Sequence, residues 1–385
     1  MRFFNRFKSS KDNSSLGLSP LALLTLAACS GGGGQSGGGG GSFSVGGNVI
    51  KGPLSNALVG LDYNGDGVVD STTVRTGTDG SYSISTSNST YTVIAVTDDQ
   101  TVDASSGTVL SGVTLKAPKG ASVVTPTTTL MEEGGLTSEQ VASVLGLPEG
   151  VDPTNFNPYA SNVDPDQALA VEKTSQQVIN VVNSFAAAAE GAGASEVDAF
   201  KAALNSVSEV VKTKANKIND LTASEADKSL DLTSDADLTL IKTQVKTEIT
   251  STANVNSTAF NTLADDTTTA IKNVNNKIET VTDLTSDASK NIFSTTQVLA
   301  DQVKTAATAE VGNVGTGNIS FTDANEVNTA AINKAPTNIS LSSNSVSEFA
   351  TSLVIGTLST TDTDQSSGVA FIYKIAEVTG TDFSS

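Results

Sequence analysis

Between Pro165 and Pro336 the chain has no proline, and between Gly193 and Gly312 it has no glycine. A stretch this free of helix breakers permits long helices. Apolar residues recur within it at helical spacing. One stripe is Val171, Val178, Val182, Phe185 and Ala189, and a second is Val197, Phe200, Leu204, Val207 and Val211. Later stripes run through Leu238, Ile241, Val245 and Ile249, then Val274, Ile278 and Val281, then Ile292, Leu299 and Val303. Ser195 with Asp198, and Ser234 with Asp237, have the spacing of N-terminal caps. Residues 166–311 are therefore predicted to form four to six helices, as a bundle or an elongated spacer. The stripes are thin and rich in alanine and threonine, a composition that packs weakly.

Residues 43–124 are written differently. "FSVGGNVI", "NALVGLD", "SYSIS", "YTVIAVT" and "GVTLKA" are rich in strand-forming residues, and Gly, Asn and Asp stand between them. They predict a small antiparallel β-sandwich. The order "GPLSNALVGLD", "TGTDGSYSIS", "YTVIAV", with the Asp79-Gly80 turn before a tyrosine-bearing strand, resembles the transthyretin-like and collagen-adhesin B-type modules of bacterial surface proteins.

Within this module lies "DYNGDGVVD". Asp62, Asn64, Asp66 and Asp70 occupy places one, three, five and nine of a calcium loop, with Gly67 at the sixth place, where the backbone must turn sharply. The Val68 carbonyl would be the backbone ligand. Thr73 stands where an EF-hand has its bidentate glutamate, and no helical pattern flanks the loop, so the closer comparison is with the calcium loops of bacterial surface modules. A polar hairpin turn that uses Asp and Gly for conformational reasons accounts for the same residues.

Upstream, Arg2, Arg6, Lys8 and Lys11 precede the apolar run "LGLSPLALLTLAA", a secretory signal layout too short for a membrane-spanning helix. Leu26, Ala27, Ala28 and Cys29 resemble a bacterial lipobox, which implies cleavage before Cys29 and a lipid on its sulfur. Residues 30–42 read as a Gly/Ser tether with a reach of roughly 20 Å. Between the two larger segments, residues 125–165 form a junction with short helices in "TPTTTLMEE" and "LTSEQVASVLGLPEG", the second opened by Thr137 and Gln140.

After a linker over residues 312–332, residues 333–385 resemble the first half of a bacterial cadherin-like repeat: Asn333, Ala335 and Pro336, then Glu348, then "GTLSTTDTD" from Gly356 to Asp364. The resemblance implies calcium held at a domain joint by Glu348, Asp362 and Asp364, with Asn333 beside them. Phe349 departs from the asparagine usual after the glutamate. The repeat stops about halfway through the length a sandwich requires, which predicts that the sequence is the N-terminal part of a longer protein.

The fold class expected is thus multi-domain: an N-terminal β-sandwich, a central all-α bundle or spacer, and a C-terminal partial β-sandwich. With no histidine, no tryptophan and one cysteine, the chain lacks the means for histidine general-base catalysis, catalytic triads and the usual zinc cages. Acidic residues outnumber basic ones 41 to 22, a formal charge of -19 that repels nucleic acid and attracts divalent cations. The function these features predict is a calcium-binding surface protein, part of a repeat adhesin, without catalysis. It would be lipid-anchored at the outer membrane or cell surface and would contact another cell, a glycan or a like protein. The alternative is a lipid-anchored scaffold for a glycan-binding or hydrolase domain further along.

Overall fold

The computed structural model describes residues 42–251, 254–313, 315–317, 319, 338–342 and 357–361. In chain order the first strands are β1 (Phe43–Val49), β2 (Leu54–Ser55), β3 (Leu58–Asp62), β4 (Val74–Arg75) and β5 (Ser81–Thr86). They continue as β6 (Thr92–Val96), β7 (Val102–Asp103), β8 (Thr108–Val109), β9 (Thr114–Ala117) and β10 (Val123–Val124). Eight helices follow among the described residues: α1 (Pro126–Gly134), α2 (Ser138–Val144), α3 (Pro165–Gly191), α4 (Glu196–Ala215), α5 (Glu225–Lys228), α6 (Asp235–Thr250), α7 (Ser257–Glu279) and α8 (Asp287–Gly312). A hairpin of β11 (Asn338–Leu341) and β12 (Leu358–Thr361) comes last, paired from Asn338↔Thr361 to Leu341↔Leu358.

The five strand segments named from sequence become β1, β3, β5, β6 and β9. They do not make a self-contained sandwich. The strands before α1 fall into three small sheets, ordered β10-β1-β5, β2-β7-β8 and β4-β3-β6-β9. In the first, β1 runs antiparallel to β5, from Phe43↔Thr86 to Asn48↔Ser81, and parallel to β10. Strand β5 alternates as a half-buried strand should, with Tyr82, Ile84 and Thr86 inside. Strand β6 does not alternate: Val93, Ile94 and Ala95 are all buried. Val93 and Ala95 face the main core, while Ile94 on the opposite face lies near Phe200 of α4. A strand buried on both faces belongs to a sheet covered on both sides.

The covering elements are helices. Thr125 opens α1 with a capping box, and Thr128 and Thr129 of α1 hydrogen-bond the backbone of Lys116 on β9. One contiguous apolar core then runs from Val45 in β1 through α1–α4 and α6–α8 to Ile319. The expected fold class is corrected accordingly: among the described residues the structure is mixed α/β, with small sheets docked on a dominant helical assembly, in place of a free-standing N-terminal β-sandwich followed by a separate all-α unit. The physical reason is that the outer face of the β4-β3-β6-β9 sheet is itself apolar and needs a cover. Of the C-terminal partial sandwich, only the hairpin β11–β12 falls among the described residues.

The helical stripes hold. Val178, Val182, Phe185 and Ala189 line α3, Leu238, Ile241, Val245 and Ile249 line α6, and all are at most 1% exposed. Val197 alone among the stripe residues of α4 is only half-buried. The helices form a bundle, with α3 packed on α4, α7 and α8. Polar residues cross the bundle too: Asn180 donates to Asn275 Oδ1 at 2.9 Å, and Asn275 donates to the Leu232 carbonyl at 2.7 Å. Ser195 caps α4 as its spacing predicts, accepting from the Asp198 N–H. Ser234 makes no side-chain cap on α6, because Asp237 is turned instead to the Asp231 N–H and to Lys214, 2.8 Å away.

Candidate functional site

Strand β3 delivers Asp62 into the loop with its side chain 3% exposed. The loop winds around this carboxylate. Its Oδ1 accepts from the N–H groups of Asn64 (3.0 Å) and Gly65 (2.8 Å), and its Oδ2 accepts from Gly67 (2.8 Å). Gly67 has φ +78°, the left-handed turn that its place in the pattern requires. Further out, Asn64 Oδ1 accepts from Asp66 N–H and Asp66 Oδ1 from Val68 N–H. Asp70 Oδ2 accepts from Tyr63 N–H, and the N–H groups of Asp70 and Ser71 both return to the Leu61 carbonyl, which closes the loop.

The loop therefore brings Asp62, Asn64, Asp66, Val68 and Asp70 into one turn, each carboxylate already serving a backbone N–H of the same turn. Their side chains are not gathered as a ready ligand cluster: among the described residues, no group of three or more His, Cys, Asp or Glu side chains stands at metal-holding distances. Asp66 and Asp70 are exposed, and the outer oxygen of Asp66 meets only the Asn64 amide, at 3.3 Å. A cation would need those outer oxygens to turn inward, toward oxygens with lone pairs to spare. The other residues singled out from sequence, Cys29, Asn333, Glu348, Asp362 and Asp364, lie outside the described residues.

Beside the loop is a cleft of about 170 Å³, walled by Asp66–Val69, Ile94 and Val96 of β6, and Phe200 and Leu204 of α4. Lys116 stands at its edge, paired with Glu133 at 2.5 Å. The loop is thus one wall of the seam between sheet and helices.

A second constellation escaped the sequence reading. Lys51 Nζ meets Asp103 Oδ2 at 2.7 Å, with both side chains at most 2% exposed. Asp103 Oδ1 accepts from the N–H and hydroxyl of Ser105, whose oxygen accepts from Gln176 Nε2 at 3.0 Å. Gln176 Nε2 also donates to Glu172 Oε1 at 2.7 Å. Glu172, fully buried on α3, is pushed up to about 7 by burial and by the Asp103 charge, against the pull of Gln176, Lys51 and the Tyr159 hydroxyl. Burial and the same two carboxylates push the Tyr159 hydroxyl upward. Gly52, at φ +68°, must be glycine here, since a Cβ would lie 2.2 Å from Asp103 Oδ1 and from Ser105 Oγ. The available signal was a lysine inside the apolar text "NVIKGP", together with Glu172 and Gln176 one turn apart on the apolar side of α3.

Among the described residues, no helix is long and apolar enough to cross a membrane. No protein-family model matches the chain, and neither a curated protein nor a solved structure matches it.

Proposed function

We propose that the chain is a non-catalytic, calcium-binding protein of the bacterial cell surface that acts in adhesion. The observation that carries this reading is the Asp62–Asp70 turn. Three carboxylates, an amide and a backbone carbonyl at alternate places suit a hard cation with oxygen ligands. Rotation of Asp66 and Asp70 toward Asp62 completes the set, with water or a neighbouring loop in the place that Thr73 leaves unfilled. A net charge of -19 adds a long-range attraction for divalent cations. The leader with Cys29, and Glu348, Asp362 and Asp364 with Asn333, extend the same reading to a lipid anchor and to a calcium-stiffened joint. Catalysis has no place in this reading, in which every carboxylate of the turn is committed to the cation or to the backbone.

Beads coated with the protein test the adhesive part. They cluster in millimolar calcium and disperse in a chelator; clustering that ignores calcium, or no clustering in either condition, rejects it. The cation site is tested separately by calorimetric titration of the unmodified protein against its Asp66→Asn variant, with an expected Kd on the order of 10⁻⁴ to 10⁻³ M.

A further inference from the structure

Lys51, Asp103 and Glu172 come from three separate parts of the fold: the turn after β1, strand β7 and helix α3. They meet where the sheets dock on the helices, and all three are at most 2% exposed. Two carboxylates stand near one ammonium, and only Asp103 is paired with it. The pair Lys51–Asp103 is complete in itself, with Asp103 further held by Ser105. Glu172 receives one well-formed hydrogen bond, from Gln176; its Oε2 lies beside the Tyr159 hydroxyl, which favours the ionised form, but the two do not meet in hydrogen-bond geometry, and the buried Gln176 Oε1 has no partner. An ionised carboxylate left in this state, out of water and beside a second carboxylate, is strongly disfavoured. A neutral carboxylic acid is not, and it has a proton to offer to an unpartnered oxygen.

We propose that this cluster is a proton-dependent latch between the sheets and α3: with Glu172 neutral the three segments dock, and when Glu172 loses its proton the β7 turn and the first half of α3 separate. Neither of the other charged groups of α3 that bond to neighbouring helices supplies a counter-charge. Lys173 pairs with Glu279 of α7, and Glu190 with Lys304 of α8, both at partly exposed positions. On α1, Glu132 accepts from Thr92 and Glu133 pairs with Lys116. Lys51 is therefore the cation nearest to hand, and it is already engaged.

The direction of the effect follows from linkage. The docked state holds a proton that the undocked state, with an ordinary glutamate, gives up above about 4.5. Docking is thus strongest below that value and weakens as pH rises through about 7. Between pH 6 and pH 8 the opening equilibrium should increase roughly tenfold.

Amide hydrogen exchange on the unmodified full chain reads this directly, once intrinsic rates are corrected for pH. Protection over residues 103–106 and 168–176 should fall roughly tenfold from pH 6 to pH 8 while that of α7 holds. Unchanged protection there, or an equal fall everywhere, overturns the latch. Glu172→Gln supplies the second arm: a folded variant keeps its protection at pH 8. A variant that folds yet retains the full pH step also overturns the proposal. Glu196 and Asp301, both raised by burial, act equally in the two proteins and cancel in the comparison.

Discussion

Replacing Asp62 by alanine removes the buried acceptor around which the loop after β3 winds. Three backbone N–H groups, of Asn64, Gly65 and Gly67, lose their partner at once. A hydrogen bond to an ionised group contributes about 1.5 to 3 kcal/mol, and the exposed part of the loop recovers some of this from water. A loss of about 2 to 4 kcal/mol is therefore expected without any cation. Asp66→Asn provides the contrast. Asp66 is exposed and accepts from Val68 N–H and the Asn64 amide, so in a chelator its replacement should cost less than about 1 kcal/mol. Calcium adds a second difference. At roughly 10 mM calcium and a Kd of about 10⁻⁴ to 10⁻³ M, binding stabilises the unmodified protein by about 1.4 to 2.7 kcal/mol. Asp66→Asn should forfeit that gain. Urea unfolding of the three proteins, with calcium and with chelator, separates the two roles. If Asp62→Ala is as stable as the parent in chelator, the loop does not depend on its buried carboxylate; if Asp66→Asn keeps the calcium gain, there is no cation site there.

Three further tests bear on other parts of the molecule. Phe185→Ala, in the last third of α3 and fully buried, should lower stability by about 3 to 5 kcal/mol and shift the unfolding of sheets and helices together in one calorimetric transition; a β transition left in place would divide the core in two. Burial works to raise Asp98, but the Arg75 hydrogen bond and the Gln100 N–H outweigh it and hold this carboxyl below the usual carboxylate range. The stability it contributes is present above the unfolded value of about 3.8 and disappears as pH falls through its lower folded value, so Arg75→Met should flatten the acid limb of the melting curve. Labelled palmitate should enter the protein in a lipoprotein-processing host and fail to enter Cys29→Ser; equal incorporation in both excludes the anchor.

The elements of this fold that depend on neighbours in the chain could be read from it. Strand β5 alternates in text and in structure, the stripes of α3 and α6 are buried as spaced, and Ser195 caps α4. What sequence did not reveal depends on distant partners. "TVIAV" is a run of apolar residues whether one face is covered or two, and only the arrival of α4 near Ile94 decides between them. Ser234 has the form of a cap, yet Asp237 is diverted by Lys214 of another helix. The Asp62–Asp70 turn was visible because its residues lie within one loop. The Lys51 cluster was not, because Lys51 and Asp103 are 52 residues apart and Ser105 and Gln176 are 71 apart.

Helix α3 meets α8 only after a long stretch of chain: Glu190 and Lys304, which join them, are 114 residues apart. On a ribosome adding about 5 to 20 residues per second, α3 waits on the order of ten seconds for this partner. Until then the part of α3 that α8 covers stays open to solvent or to a holding factor, although α4 and α7, made earlier, can already cover the rest. The sheets wait too, though less long, since one face of the β4-β3-β6-β9 sheet needs α4. Assembly is therefore governed by late arrivals, and a nascent chain cut short before Asp287 would present the binding surface of a helix that has not yet been made.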